Sequence, residues 1–118
     1  MHEFGLCEGV LEAVRRRAAG RKVSAIRVRF GVRHAVDAES LSQAFSMVAE
    51  GTEAAGAAVD LVTVPARVTC RGCGYSGQTT DPLAICPRCG SADAEITGGD
   101  EMVLESISYA SADRGPVP

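Results

Sequence analysis

Two short cysteine motifs place the strongest constraint on how this chain can fold. They are CRGCG at 70–74 and CPRCG at 86–90, and each brings two thiols together in one tight turn. In a reducing compartment, paired C-x-x-C motifs are typical of metal sites rather than of disulfides. Four soft sulfur ligands suit a tetrahedral ion, above all zinc. The spacing therefore predicts one four-cysteine metal site, which organises a small module over about 68–98.

This site has four candidate ligands and a limited set of chemical roles. The candidate zinc ligands are Cys70, Cys73, Cys86 and Cys89. Gly74 and Gly90 follow the two motifs, and glycine can adopt a positive φ that turns backbone N–H groups toward the sulfurs. The linker 74–85 is long enough for a small β-hairpin. Because four thiolates leave no open coordination position, the predicted zinc is structural and not catalytic. Rubredoxin-like iron and redox-active dithiols are the rival interpretations.

The apolar residues before the cysteines change from one regular spacing to another. Over 4–19 they recur at the helical period, which predicts an amphipathic helix that ends near Gly20. Over 23–32 they alternate with arginines, which is the pattern of a strand with one buried face. Asp37 can then cap a second helix over 38–50. The first half of the chain is therefore predicted to contain helix, strand and helix.

Two further strands are predicted, one over 57–65 before the cysteine module and one over 102–109 after it. The predicted fold is α+β in two layers, with two helices on a three-stranded mixed sheet. A zinc-ribbon-like four-cysteine domain is inserted between the second and third strands. The predicted boundaries are 1–66 plus 100–110 for the helix–sheet domain, 67–99 for the zinc-binding domain, and 111–118 for a disordered tail.

The composition narrows the classes of function. The sequence contains no run of about 18 apolar residues, so no membrane-spanning helix is predicted. A basic stretch followed by an apolar stretch is missing at the start, so we expect no secretory signal and a cytoplasmic location. The net charge of −3 and the lack of a long basic stretch argue against nucleic acid as the main partner.

The first residues contain a second candidate metal site. His2 is one of two histidines in the sequence and directly follows Met1. The α-amine of Met1 and the amide and imidazole nitrogens of His2 can close adjacent chelate rings around one ion, with Glu3 as a further donor. A planar set of nitrogen donors favours Ni(II) or Cu(II) over zinc. The alternative for so short a motif is an exposed histidine without a function. The whole protein would then be a zinc-ribbon adaptor or a nucleic-acid-binding module.

Several motifs together resemble the HypA family of nickel metallochaperones. In chain order they are MHE, LCEGV, GT at 51–52, CRGCG, CPRCGS and TGGDEM, and the resemblance extends over about 1–109. It implies a protein that is not an enzyme and that carries Ni²⁺ as cargo for [NiFe]-hydrogenase maturation. It also implies a nickel-binding α/β domain with a separate structural Zn²⁺ domain. The implied partners are a HypB-like GTPase, the hydrogenase large subunit or its maturation complex, and in some organisms the urease machinery.

The resemblance also implies roles for individual residues at the chain start. His2 matches the nickel ligand of the family. Met1 and Glu3 match neighbouring positions that contribute through the backbone or as auxiliary donors. The four cysteines match the zinc ligands. Asp37 falls where some members have an acidic residue near nickel, although a helix N-cap is the simpler explanation.

Two further residues have no fixed role in the resemblance. The stretch GVRHAVD departs from the loop that is usual in the family. His34 therefore has three interpretations: a solvated loop residue, a group that supports a nickel ligand, or a fourth nickel ligand. Cys7 lies on the apolar stripe of the first predicted helix, which indicates a core residue rather than a ligand.

Overall fold

A computed structural model describes residues 2–83 and 85–110, without the side chain of His2. The predicted tail at 111–118 lies outside the described residues. The helices and strands are α1 (His2–Ala18), β1 (Val23–Gly31), a 3₁₀ turn (Val32–His34), α2 (Ala38–Val48), β2 (Ala58–Val64), β3 (Ala66–Cys70), β4 (Ser76–Thr79), β5 (Ala94–Gly98) and β6 (Met102–Tyr109). They fall into two compact units. One combines residues up to 28 with 37–61 and the chain from 104, and the other combines 29–36 with 62–103.

Helix α1 forms where the helical period predicted it. Its buried face consists of Cys7, Val10, Val14 and Ala18. Three arginines occupy its last turn, where positive charge interacts favourably with the helix dipole. The helix ends before Gly20, whose φ of 90° is readily accessible only to glycine.

Helix α2 is also confirmed, and Asp37 is its N-cap. The Oδ2 atom of Asp37 accepts a hydrogen bond from the backbone N–H of Ser40 at 3.0 Å. The helix buries Leu41, Ala44 and Phe45, and it packs against α1. The capping carboxylate satisfies one of the N–H groups that the first turn of a helix leaves without a partner.

The three strands predicted outside the cysteine module form one sheet in the order β2–β1–β6. The central strand β1 buries Ile26, Val28 and Phe30 while the arginines between them stay exposed, as the alternation predicted. The apolar faces of β1 and of the two helices provide most of the buried core.

The last strand is connected to the segment before β1 and to the start of β1 by contacts outside the strand ladder. The N–H of Ala110 donates to the carbonyl of Lys22 at 2.9 Å. The hydroxyl of Ser24 donates to the carbonyl of Ser108 at 3.1 Å. The guanidinium carbon of Arg21 lies 3.8 Å from the centre of the Tyr109 ring, a cation–π contact. These two hydrogen bonds and the cation–π contact hold the end of β6 against residues 21–24.

The cysteine module contains a second three-stranded sheet that the sequence analysis did not predict. Its order is β4–β3–β5, and both pairings are antiparallel. Among the described residues of the linker 74–85 the suggested hairpin does not form. Strand β4 pairs instead with β3 across the first cysteine motif, with Thr69 opposite Ser76. Strand β5 follows the second motif and places Ala94 opposite Cys70.

Candidate metal centre

Four thiol sulfurs converge at one end of the second sheet. The Sγ atoms of Cys70, Cys73, Cys86 and Cys89 all lie within 4.8 Å of one another. Two of the sulfur–sulfur contacts, Cys70 with Cys89 and Cys73 with Cys86, measure 3.7 Å. A tetrahedral ion with metal–sulfur bonds of about 2.3 Å has sulfur–sulfur edges of about 3.8 Å. The four cysteines therefore fit a tetrahedral, thiophilic metal ion.

The first cysteine motif is a tight turn fixed by its own backbone. Cys70 is the last residue of β3, and its N–H donates to the carbonyl of Tyr75 at 2.8 Å. The N–H of Gly74 donates back to the carbonyl of Cys70 at 3.0 Å, and Gly74 has a φ of 77°. The positive φ expected for Gly74 is observed, and other residues are strained at this φ.

The second motif repeats the same turn. The N–H of Cys86 donates to the carbonyl of Ser91 at 3.0 Å, and the N–H of Gly90 donates to the carbonyl of Cys86 at 2.8 Å. The backbone N–H groups of Arg88 and Cys89 also point at the sulfur of Cys86, at 3.4 and 3.5 Å. Such N–H groups stabilise negative charge on a sulfur, as a metal ligand requires.

An additional contact connects the first motif to the chain that follows the second. The backbone N–H of Arg71 donates to the carbonyl of Asp93 at 3.0 Å, and the two side chains form an ion pair at 3.0 Å. Both side chains are exposed, so the ion pair itself contributes little to stability. Sequence reasoning did not identify Asp93 as a partner of Arg71, because no spacing rule connects residues 22 positions apart.

The thiols of the second motif differ strongly in acidity. Burial alone would raise the pKa of Cys86, but the N–H groups of Cys89 and Arg88 and the neighbouring thiols outweigh it and lower this pKa to about 6. A backbone hydrogen bond from Ser91 favours the thiolate of Cys89, yet the Cys73 thiol, burial and the other two thiols raise its pKa to about 11. In the metal-free site, negative charge is therefore favoured on the sulfur of Cys86, and a metal ion would displace the protons that the other thiols hold.

Comparison with known proteins identifies the family. A model described as "Hydrogenase/urease nickel incorporation, metallochaperone, hypA" matches residues 1–109. The chain belongs to the HypA family. This family consists of metallochaperones and not of enzymes.

Relatives of similar length support this assignment. The hydrogenase maturation factor HypA of Azotobacter chroococcum mcd 1 is 34% identical over 110 residues, which cover 91% of this chain and 97% of the relative. The HypA factor of Rhodobacter capsulatus has the same identity and coverage. The solution structure of the Ni metallochaperone HypA from Helicobacter pylori aligns with a TM-score of 0.58 at 24% identity, covering 92% of this chain and 97% of that one. This structural likeness shows the fold.

The nickel ligands implied by the HypA resemblance lie at the edge of what the structure describes. Helix α1 begins at His2, and Glu3 lies in its first turn. Met1 and the side chain of His2 are outside the described residues. Within residues 2–83 and 85–110, no helix is long and apolar enough to cross a membrane.

His34 has defined contacts rather than a purely solvated position. Its ring is half-buried, and the Nε2 atom lies 2.9 Å from the backbone carbonyl oxygen of Asp100. The ring centre is 5.8 Å from that of Phe30. Sequence reasoning missed this pair because Asp100 is 66 residues away along the chain.

Cys7 is a core residue of this HypA-family chain, as its place on the apolar stripe predicted. Its side chain is fully buried, and its Sγ donates to the carbonyl of Leu41 at 3.6 Å. Burial and, to a smaller degree, the negative charge of Glu3 raise the pKa of this thiol to about 11. A buried, protonated thiol is a poor nucleophile and a poor metal ligand.

Proposed function

We propose that this protein binds Ni²⁺ at the start of α1, holds Zn²⁺ in the four-cysteine centre, and delivers the nickel during [NiFe]-hydrogenase maturation. The observation that carries the proposal is the HypA family match over residues 1–109, which includes both candidate metal sites. Convergence of the four sulfurs within 4.8 Å supports the zinc part.

The proposed nickel site consists of His2 with Met1 and Glu3. The terminal amine and the amide and imidazole nitrogens of His2 would form a planar nitrogen set, which suits Ni²⁺. Met1 and Glu3 would contribute through the backbone or as auxiliary donors. A site at the first turn of a helix has ligands from one short segment, so a partner can replace them one after another. Such a site suits an ion that must be released.

The proposed zinc site consists of Cys70, Cys73, Cys86 and Cys89. Bound zinc would supply a rigid tetrahedral crosslink between the two cysteine motifs and no chemical step. In this proposal, 67–99 forms the zinc-binding domain, and 1–66 plus 100–110 forms the nickel-binding domain. The donor set also fits iron, so the identity of the metal is part of the proposal.

The proposed partners follow from hydrogenase and urease nickel incorporation, the process that describes the family. They are a HypB-like GTPase, the hydrogenase large subunit or its maturation complex, and the urease machinery in organisms that have it. We place this delivery in the cytoplasm, where reduced thiols remain available to zinc.

A metal titration of untagged protein tests the proposal, with native protein compared with His2→Ala. We expect His2→Ala to keep its zinc and its fold and to lose tight Ni²⁺ binding. His34→Ala separates the interpretations of His34: unchanged nickel affinity would place it outside the site, and a loss would identify a ligand or a supporting group. Nickel retained at native affinity in His2→Ala would show that the nickel site is elsewhere. Salt-dependent binding to nucleic acid without nickel binding would instead select the zinc-ribbon adaptor.

A second comparison isolates the terminal amine. An N-terminal extension converts the amine of Met1 into an amide and leaves His2 unchanged. The nickel spectrum and affinity should then differ from those of the untagged protein, because an amine and an amide differ in basicity. Identical spectra and affinities would remove the amine from the ligand set.

The identity of the metal in the four-cysteine centre needs a separate measurement. Visible absorbance of the purified protein would reveal iron in place of zinc.

A further inference from the structure

In the four-cysteine centre, each of two sulfur–sulfur contacts joins a buried cysteine to an exposed one. Cys70 and Cys86 are 2% and 1% exposed, whereas Cys73 and Cys89 are exposed. The contacts of 3.7 Å join Cys70 to Cys89 and Cys86 to Cys73. Each contact therefore pairs an exposed cysteine with a buried one, and each connects the two motifs.

We propose that this centre is a peroxide-sensitive thiol switch. Hydrogen peroxide oxidises the exposed Cys73 and Cys89, and the buried partner of each closes a disulfide. The products are the disulfides Cys73–Cys86 and Cys70–Cys89, and the bound metal is released. This inference rests on the proposed zinc site and adds its regulation by an oxidant.

Each disulfide forms from two thiolates with one molecule of hydrogen peroxide as the oxidant. The thiolate of Cys73 attacks one peroxide oxygen, the O–O bond breaks, and a sulfenic acid and hydroxide form. The thiolate of Cys86 attacks the sulfenic sulfur, the S–S bond forms, the S–O bond breaks, and a second hydroxide leaves. Cys89 and Cys70 react in the same way with another peroxide. Since thiolates and not disulfides are the ligands of such a site, the ion loses its coordination.

The structure favours these two pairings through position and access. Sulfurs in contact at 3.7 Å must approach to about 2.05 Å to form a disulfide, which requires a small rotation of the side chains. The N–H groups of Arg88 and Cys89 hold the sulfur of Cys86 in place beside Cys73. A shielded sulfur next to an exposed one acts as a resolving thiol, because it reacts with its oxidised neighbour before another solute reaches it.

The chain contains its own control for this reaction. Cys7 is fully buried in the other compact unit, and its thiol donates to the carbonyl of Leu41. It has neither solvent access nor a second thiol beside it among the described residues. Cys7 should therefore stay reduced while the four-cysteine centre is oxidised.

Trypsin separates the possible disulfide patterns, because Arg71 and Arg88 lie inside the two motifs. Cleavage yields peptides 68–71, 72–88 and 89–114, and 72–88 carries both Cys73 and Cys86. The proposed pairing gives an internally bridged 72–88 and, separately, 68–71 joined to 89–114. Either of the other two complete pairings joins all three peptides into one species. Mass spectrometry of the unreduced digest therefore distinguishes the outcomes.

The experiment exposes reduced, zinc-loaded, full-length protein to hydrogen peroxide and follows zinc release with a chromophoric chelator. We expect loss of four thiols, complete zinc release, retention of the Cys7 thiol and the proposed peptide pattern. Joining of all three peptides would overturn the pairing. Intact thiols and retained zinc under conditions that oxidise free glutathione would overturn the switch.

Two single variants and the metal-free protein test the disulfide pairing whether or not the bound metal is zinc. Cys89→Ser should still form the internal bridge in 72–88 and leave Cys70 as a thiol, whereas Cys73→Ser should form only the 68–71 to 89–114 link. If the isolated protein holds no zinc, the zinc proposal and the release step fail together. The peptide map of the reduced, metal-free protein then still decides the pairing.

Discussion

Gly31 lies so close to the backbone of Gly99 that a side chain has no room at position 31. A Cβ atom built on Gly31 would lie 2.0 Å from the backbone carbonyl carbon of Gly99. Gly31 has φ −66° and ψ 150°, a conformation open to any residue, so the constraint is steric and not conformational. The N–H of Gly31 donates to the carbonyl of Glu101 at 2.8 Å, and the N–H of Arg33 donates to the carbonyl of Gly99 at 2.8 Å.

Gly31→Ala should destabilise the protein by about 1–3 kcal/mol or more, because the added methyl group meets backbone that cannot rotate away. Gly9→Ala is the matched control. Gly9 lies within α1 with no atom in the way of a Cβ, so its replacement should stabilise the helix by roughly 0.5–1 kcal/mol. Chemical denaturation of both variants measures the difference. Equal stability of the two variants would contradict the close approach.

The capping role of Asp37 can be separated from a role in nickel binding. Asp37→Ala should lower the free energy of unfolding by about 1 kcal/mol, because the N–H of Ser40 loses its acceptor. Asp37→Ser should restore most of the stability, since serine is also a good N-cap. Nickel affinity should be unchanged in both. A drop in affinity that serine does not rescue would instead indicate a nickel ligand.

The buried thiol of Cys7 should make stability fall at alkaline pH. An unfolded thiol ionises near the ordinary value of 9.0, whereas the native thiol keeps its proton until about 11. Between these values the native state binds more protons than the unfolded state, so rising pH favours unfolding. Below pH 9.0 both states are protonated and the effect vanishes.

Urea denaturation of zinc-loaded protein across this pH window, with Cys7→Ala as the reference, isolates the Cys7 contribution. The native protein should lose stability more steeply with pH than the variant. Parallel profiles would show that the thiol of Cys7 ionises equally easily in both states. Alkylation gives an independent readout, since Cys7 should resist iodoacetamide at neutral pH until the protein unfolds.

Metal removal should affect the two compact units unequally. Structural zinc contributes on the order of 10–16 kcal/mol of apparent binding free energy in small zinc peptides at neutral pH. Cys70→Ser or a strong chelator should therefore disorder the strands beside the cysteine motifs, while α1 and α2 keep their buried faces. Amide hydrogen exchange would show lost protection in 66–98 and retained protection in both helices. Uniform loss of protection would show that the helices depend on the metal.

The sequence was most informative where a long regular pattern specifies one buried face. Helix α1 and strand β1 could be predicted from spacing alone, because an apolar stripe or alternation over many residues has one structural solution. The second sheet could not be predicted in this way. Its strands have four or five residues, and their pairing depends on turns that the cysteines organise.

Contacts between residues far apart in the chain could likewise not be predicted from the sequence. The approach of Gly31 to Gly99 and the bond between His34 and Asp100 join segments more than 60 positions apart, with no periodic signal. The four cysteines were the exception, because a tetrahedral metal site requires its ligands to meet whatever the intervening chain does.

The position of β6 in the chain determines the order in which the fold can be completed during translation. Strand β6 pairs with β1 and is held by Lys22, Ser24 and Arg21, yet the ribosome makes it only after the entire cysteine module. Until then, one edge of β1 has no partner strand, and an unpaired edge can recruit another chain. A nascent chain stalled within the module would therefore expose that edge for as long as the stall lasts. The exposure ends only when β6 has left the ribosome and paired with β1.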